Sequence, residues 1–190
     1  MASTKLPEKS RGSDIDAFLD KAASLPASKP AGQAGHLIFA MDETASREPT
    51  WDHACQIQAE MFVETTALGG LEIQLCYYRG FGEFHASNWC NDASALGTEM
   101  ARVYCEGGHT QIARLLKHGI AEHRAGPVRA LVFIGDAMEE NPDTLCDLAG
   151  QCGMVNLPLF LFQEGHEPAA TRAFSQIARL SGGAHCRFDA

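Results

Sequence analysis

From His36 onward, short apolar runs alternate with segments whose apolar residues recur every three or four positions. The first pattern fits strands buried on both faces, the second amphipathic helices. Leu37–Met41 is an apolar run that ends in Asp42. In Thr50–Leu68, Ala54, Ile57, Met61, Phe62 and Thr65 are spaced for one helical face, and Gly69-Gly70 stops it. Leu71–Tyr78 predicts a strand, with Phe81–His85 as its hairpin partner across Arg79-Gly80. Asp92–Cys105 predicts a short helix halted by Gly107-Gly108. Thr110–Arg124 predicts a longer one, with Ile112, Leu115, Leu116 and Ile120 on one side and a break at Gly126-Pro127. Val128–Gly135 has the strongest signature of a buried strand. A helix over Pro142–Cys152, a strand over Leu157–Phe162, a helix over Pro168–Leu180 and a strand over Ala184–Phe188 complete the series. Such alternation predicts an α/β fold, a doubly wound Rossmann-like three-layer sandwich around a mostly parallel sheet.

Residues 1–35 break this pattern. They are rich in Ser, Lys, Pro and Ala, and Pro26–Gly35 reads as a flexible linker. One helix is predicted there, Asp14–Leu25, with Ser13 as its N-cap and Ile15, Phe18, Leu19 and Ala22 on one face. So short a stripe needs a surface to dock on. The expected organisation is a tail over 1–35, with a docking helix and linker, and one domain over 36–190.

Composition narrows the class. The chain has 190 residues, 45% of them hydrophobic, enough for a core. Lys+Arg total 15 against Asp+Glu 24, a net charge of -9. That balance argues against general nucleic-acid binding, which replaces counterions with cationic surface, and against docking on anionic lipid. No apolar run approaches the ~18 residues of a membrane span. The seven cysteines (Cys55, Cys76, Cys90, Cys105, Cys146, Cys152 and Cys186) are odd in number and widely spaced. Met1–Arg11 has charges and a proline but no apolar core of a signal. A reduced, cytoplasmic protein with small buried thiols is expected.

In doubly wound sheets, ligands sit beyond the carboxyl ends of the strands, so chemistry is sought there. Strand one runs into Asp42-Glu43-Thr44-Ala45-Ser46, a carboxylate and two hydroxyls at alternate positions. These are hard oxygen donors, suited to Mg²⁺ or Mn²⁺ rather than zinc. Ser46 would equally serve as a helix cap. Gly107-Gly108-His109-Thr110 precedes a helix and brings another hydroxyl, or another cap. Phe133-Ile134-Gly135-Asp136 ends the central strand with a second carboxylate, or a turn residue. Taken together, two carboxylates and three hydroxyls gather at one edge, where the like charges repel unless a cation lies between them.

With these five positions in this order, the chain resembles the von Willebrand factor A (VWA) domains. Their metal-ion-dependent adhesion site (MIDAS) uses Asp-x-Ser-x-Ser after the first strand, a Thr in a glycine-rich loop and an Asp after the fourth. Asp42, Thr44, Ser46, Thr110 and Asp136 stand at the matching positions, and the resemblance covers His36 to the C-terminus. It implies a six-stranded sheet with five parallel strands, an antiparallel edge strand and a divalent cation at the top. It also implies a partner protein whose Asp or Glu completes the metal shell, and membership of larger assemblies with chaperone-like or ATPase components. Thr44 departs from the usual Ser but keeps the hydroxyl. His109 intervenes between the glycines and Thr110. The family usually adds a helix after the last strand, where this sequence reaches Ala190; the expectation is that the Asp14–Leu25 helix covers that sheet face, the alternative being that the sequence is truncated at Ala190.

Capture is favoured over catalysis. Neutral hydroxyls and only two carboxylates leave the dication with residual positive charge and room for an incoming carboxylate. The histidines are scattered, and neither His53-x-Cys55 nor His185-Cys186 has zinc-site spacing. The competing class is a Mg²⁺-dependent phosphoryl-transfer enzyme or phosphatase with Asp42 as nucleophile. That class places a second Asp where Thr44 stands, and needs a Lys that is absent between Lys29 and Lys117. A third is a scaffold with a vestigial metal site. Glu43, Glu139 and Glu140 near the same edge are expected to be solvated loop charges, and His109 a surface residue. The partner-facing loops are expected at Glu43–Thr50, Ser87–Asp92, Glu106–Thr110 and Ala137–Asn141, with Trp89 a candidate contact and Trp51 beginning a helix.

Overall fold

A computed structural model of the chain describes residues 35–44, 71–100 and 102–188. The expected helices over Asp14–Leu25 and Thr50–Leu68, with Ser46, Trp51 and Cys55, lie outside the described residues. Within them the order is β1 (Gly35–Asp42), β2 (Leu71–Arg79), β3 (Glu83–Ala86), α1 (Ala93–Met100) and α2 (Ile112–Ala125). Then follow β4 (Val128–Gly135), α3 (Pro142–Met154), β5 (Leu159–Glu164), α4 (Pro168–Ser181) and β6 (Ala184–Phe188).

The strands form one six-stranded sheet in the order β3-β2-β1-β4-β5-β6. Every pairing is parallel except β2 with β3, so β3 is the antiparallel edge strand. Sequential winding goes outward from β1 through β2 and restarts at β4 on the other side. The switch point therefore lies between β1 and β4, where ligands of such sheets collect.

Alternation along the strands divides the core in two. Ile38, Ala40, Cys76, Tyr78, Leu131, Phe133, Leu159 and Leu161 face α2, α3 and α4. Phe39, Met41, Ile73, Leu75, Val132, Ile134 and Phe160 face the other side, where Leu96 and Met100 of α1 pack. Phe133 sits at the centre of the first layer, edge-on to Phe174 and stacked with Tyr78. The thiols of Cys76 and Cys152 are buried. Burial pushes the Cys152 thiol up to about 11, and that of Cys76 further, which keeps both protonated and unreactive.

Beyond shifts of one or two residues at other element ends, including β5, which runs Leu159–Glu164 rather than Leu157–Phe162, three segments depart from the pattern-based expectation. Helix α1 stops at Met100 rather than Cys105, because the chain beyond it pairs with the end of β1: Glu106 N–H donates to the Glu43 carbonyl at 3.0 Å. The hairpin strand is Glu83–Ala86 rather than Phe81–His85, so Phe81 lies in the turn. Trp89 and the Ser87–Asp92 loop fall at the edge opposite the predicted site. Since β3 runs antiparallel, the chain after it emerges beside the start of β1, where Trp89 stacks on His36 at 4.2 Å and donates to Glu122.

On the helical layer, the His118 ring accompanies Gln74 Oε1 at 2.8 Å and packs against Phe84. Burial holds its pKa below the usual value, outweighing the opposite pull of Glu122. A His with a depressed folded pKa stabilises above its unfolded pKa, and that contribution is lost as pH falls through the folded value. Replacing His118 with Gln is expected to flatten the fall in thermal midpoint below pH ~6.5, measured by calorimetry across a pH series. An unchanged slope would assign the acid sensitivity elsewhere.

Candidate metal centre at the switch point

Register brings the site together. Met41 lies opposite Ile134 and Asp42 opposite Tyr78, so Asp42 reaches the carboxyl edge of the sheet beside Gly135 and Asp136. Asp42 is fully buried (0% exposed). Its Oδ1 accepts from the Thr44 amide at 2.9 Å, and its Oδ2 from the Tyr78 hydroxyl at 3.1 Å. Thr44, also buried, forms a parallel bridge with Glu106 and so joins the chain leading to the glycine loop. Burial pushes the Asp42 carboxyl up to about 6, and the charge of Asp136 adds to the rise against the lowering bonds from Thr44 and Tyr78. The two carboxylates therefore sense each other across the switch point. Asp136 Oδ1 is buried and has no hydrogen-bond donor among the described residues.

Thr110 is held from the β4–α3 loop. Its hydroxyl accepts from the Glu139 amide at 3.2 Å, and its own amide donates to Glu139 Oε2 at 3.2 Å. Glu140 reaches the start of α2, where its carboxylate accepts from the Ile112 and Ala113 amides. The N-cap position, Gln111, makes no side-chain cap bond, so a distant glutamate replaces the local cap that Thr110 was one candidate to supply. Burial raises the Glu140 carboxyl, while the amide bonds and the Thr110 side chain oppose that rise. One loop thus contributes Asp136 and fixes Thr110.

Four of the five predicted residues, Asp42, Thr44, Thr110 and Asp136, meet at this edge, and Ser46 lies outside the described residues. The expectation that these glutamates are solvated loop charges holds for Glu139, which is exposed, and is corrected for Glu43 and Glu140. Glu43 is fully buried, Glu140 caps a helix, and Glu139 clamps Thr110 while meeting the His109 ring at 3.2 Å. Tyr78 is a site residue that the motif missed, although its alternation with Cys76 and its parallel register with Asp42 mark its position. Glu140→Ala is expected to cost about 1–2 kcal/mol, the value of a helix N-cap, with Glu140→Gln costing less because one acceptor remains. Urea denaturation of both variants checks this; equal losses would refute the capping role.

The donor set suits a hard dication. It holds two carboxylates, one with an orphaned buried oxygen, and neutral hydroxyls. Among the described residues no cluster of three or more His, Cys, Asp or Glu side chains is arranged to hold a metal.

No protein-family model matches the chain, and no curated protein matches it by sequence. Solved structures do match its fold. The VWA domain of SpRpn10 aligns with a TM-score of 0.65 at 11% identity, covering 82% of this chain and 88% of that one. The vWF domain of the type V pili tip protein Mfa5 from Porphyromonas gingivalis gives 0.58 at 9%, covering 83% and 91%. The human COPII-coat protein Sec24c gives 0.61 at 11%, covering 83% of this chain but 30% of that one. The chain therefore has a VWA-like α/β fold. No described helix is long and apolar enough to cross a membrane.

Proposed function

We propose that this domain is a metal-dependent protein-binding module, an adaptor or scaffold. Mg²⁺ or Mn²⁺ would be held by Asp42, Thr44, Ser46, Thr110 and Asp136, and a partner Asp or Glu would complete its shell. The observation that carries this is the buried Asp136 Oδ1, which has no donor among the described residues, beside the buried Asp42 carboxylate. A buried anionic oxygen without a donor is costly, and a cation between the carboxylates removes both costs. The fold supports a binding role, since neighbours of the same architecture include the human COPII-coat protein Sec24c and the pilus adhesin SpaC from Lactobacillus rhamnosus GG. Membership of a chaperone- or ATPase-containing assembly follows from the family resemblance. Cytoplasmic placement is our proposal from the six free thiols among the described residues, which suit a reducing compartment.

Both oxygens of Asp42 are engaged, by the Thr44 amide and the Tyr78 hydroxyl. That suits a fixed ligand better than a nucleophile. Calorimetric titration of Mg²⁺ and Mn²⁺ into wild type, Asp136→Asn and Asp42→Ala, with a phosphatase assay alongside, tests the proposal. Binding lost in both variants, without turnover in any of the three proteins, is expected. Turnover that depends on Asp42 would replace the module with an enzyme, and absence of binding in wild type would leave a scaffold.

A further inference from the structure

We propose that Phe81 anchors a protein-docking surface beside the metal centre. The partner is a protein segment that presents an apolar pocket to the Phe81 ring and basic side chains to the carboxylates around it. Phe81 is the tip of the β2–β3 turn and is 84% exposed, touching the edge of His109 at 5.3 Å between ring centroids. Tyr104, close by, is 60% exposed.

An exposed phenylalanine on a mobile tip would be a liability. This tip is instead held from all sides. His109 N–H donates to the Gly80 carbonyl, and Gln111 Nε2 donates to the carbonyls of Arg79 and Glu83. Arg114 Nη1 donates to the Gly82 carbonyl at 2.7 Å. Gly80 takes the left-handed conformation (φ 57°) that the turn requires. A rigid, solvent-facing aromatic ring loses little entropy on docking, which is the character of an interface hot spot.

Charge selects the partner. The nearby cations are engaged: Arg79, mostly buried, binds Glu83 and lies over the Tyr104 ring at 4.1 Å, while Arg114, exposed, donates to the Gly82 carbonyl of the turn. Around the tip the carboxylates of Glu83, Glu106 and Glu139 are 44%, 52% and 54% exposed. A segment that bears basic residues meets this rim favourably, whereas a uniformly acidic one is repelled.

The inference rests on the strand-end edge being the docking face, but not on the metal. A displayed library of random linear peptides, selected on wild type with Mn²⁺ present, is the probe. Selected peptides are expected to be enriched in Lys and Arg and to bind Phe81→Ser roughly 30-fold or more weakly. Phe81→Leu should keep most of the affinity, and all three proteins should share one thermal midpoint. Equal binding to Phe81→Ser, no discriminating peptide, or no basic enrichment would overturn the proposal. Self-association in sedimentation that Phe81→Ser abolishes would overturn it in favour of a second copy. Retention of Phe81 dependence in EDTA would sustain it even if the metal site were wrong.

Discussion

Without metal, Asp136→Asn and Asp42→Ala are expected to shift stability in opposite directions. Asp136 Oδ1 is buried with no donor among the described residues, and the Asp136 charge raises the cost of ionising Asp42. Asn keeps the shape and removes the charge, so the thermal midpoint in EDTA should hold or rise slightly. Asp42 is different because it accepts from the Tyr78 hydroxyl and the Thr44 amide. Alanine leaves both donors without that acceptor in a buried setting, at about 1–3 kcal/mol each. Relief of charge repulsion offsets part of this. A net loss of about 2–4 kcal/mol remains, which lowers the midpoint by roughly 5–15 °C in a domain of this size. Saturating metal at a hundred times Kd should add about 2.7 kcal/mol to wild type and nothing to either variant. Scanning calorimetry in EDTA and in Mn²⁺ gives all six values. An Asp136→Asn protein that kept the metal-dependent rise would remove Asp136 from the site.

The fold was legible where a physical pattern is local. The two ends of β4 and β6 were read correctly because apolar runs between Gly, Pro and polar breakers have no competing assignment. The edge-strand hairpin was also legible, through the Leu71–Tyr78 run and the turn after it. Errors arose where a distant partner decides. Helix α1 carries helix-compatible residues to Cys105, yet the Glu106–Glu43 pairing takes the chain away first. Trp89 emerges at the edge opposite the expected one, because only the direction of β3 decides where the loop after it emerges. For the site, Asp42 and Asp136 could be found because each terminates an apolar strand. Glu140 could not, since it caps a helix that begins 28 residues earlier in the chain. Its role depends on the β4–α3 loop folding back over the start of α2.

Gly108→Ala should disturb the site while Gly107→Ala, one residue away, should not. A Cβ on Gly108 would lie 1.9 Å from the Gly80 carbonyl oxygen and 2.3 Å from its carbon. Both are backbone atoms of the clamped turn, so no side-chain rotation relieves the overlap. A Cβ on Gly107 meets nothing within 4 Å. The alanine at 108 must push the glycine loop away from the hairpin, breaking the His109 N–H bond to Gly80. Overpacking of this kind costs about 1–3 kcal/mol, against ±0.5 kcal/mol for an open surface position. The displacement continues into Thr110, two residues on, whose hydroxyl and amide are registered to Glu139. Mn²⁺ affinity should therefore fall about tenfold or more, the scale of losing a ligand's supporting contacts. Urea denaturation and Mn²⁺ calorimetry of the two variants separate the effects. Equal stability losses at 107 and 108 would refute the close approach to Gly80. Lost stability with unchanged affinity would show that Thr110 holds its place without the hairpin.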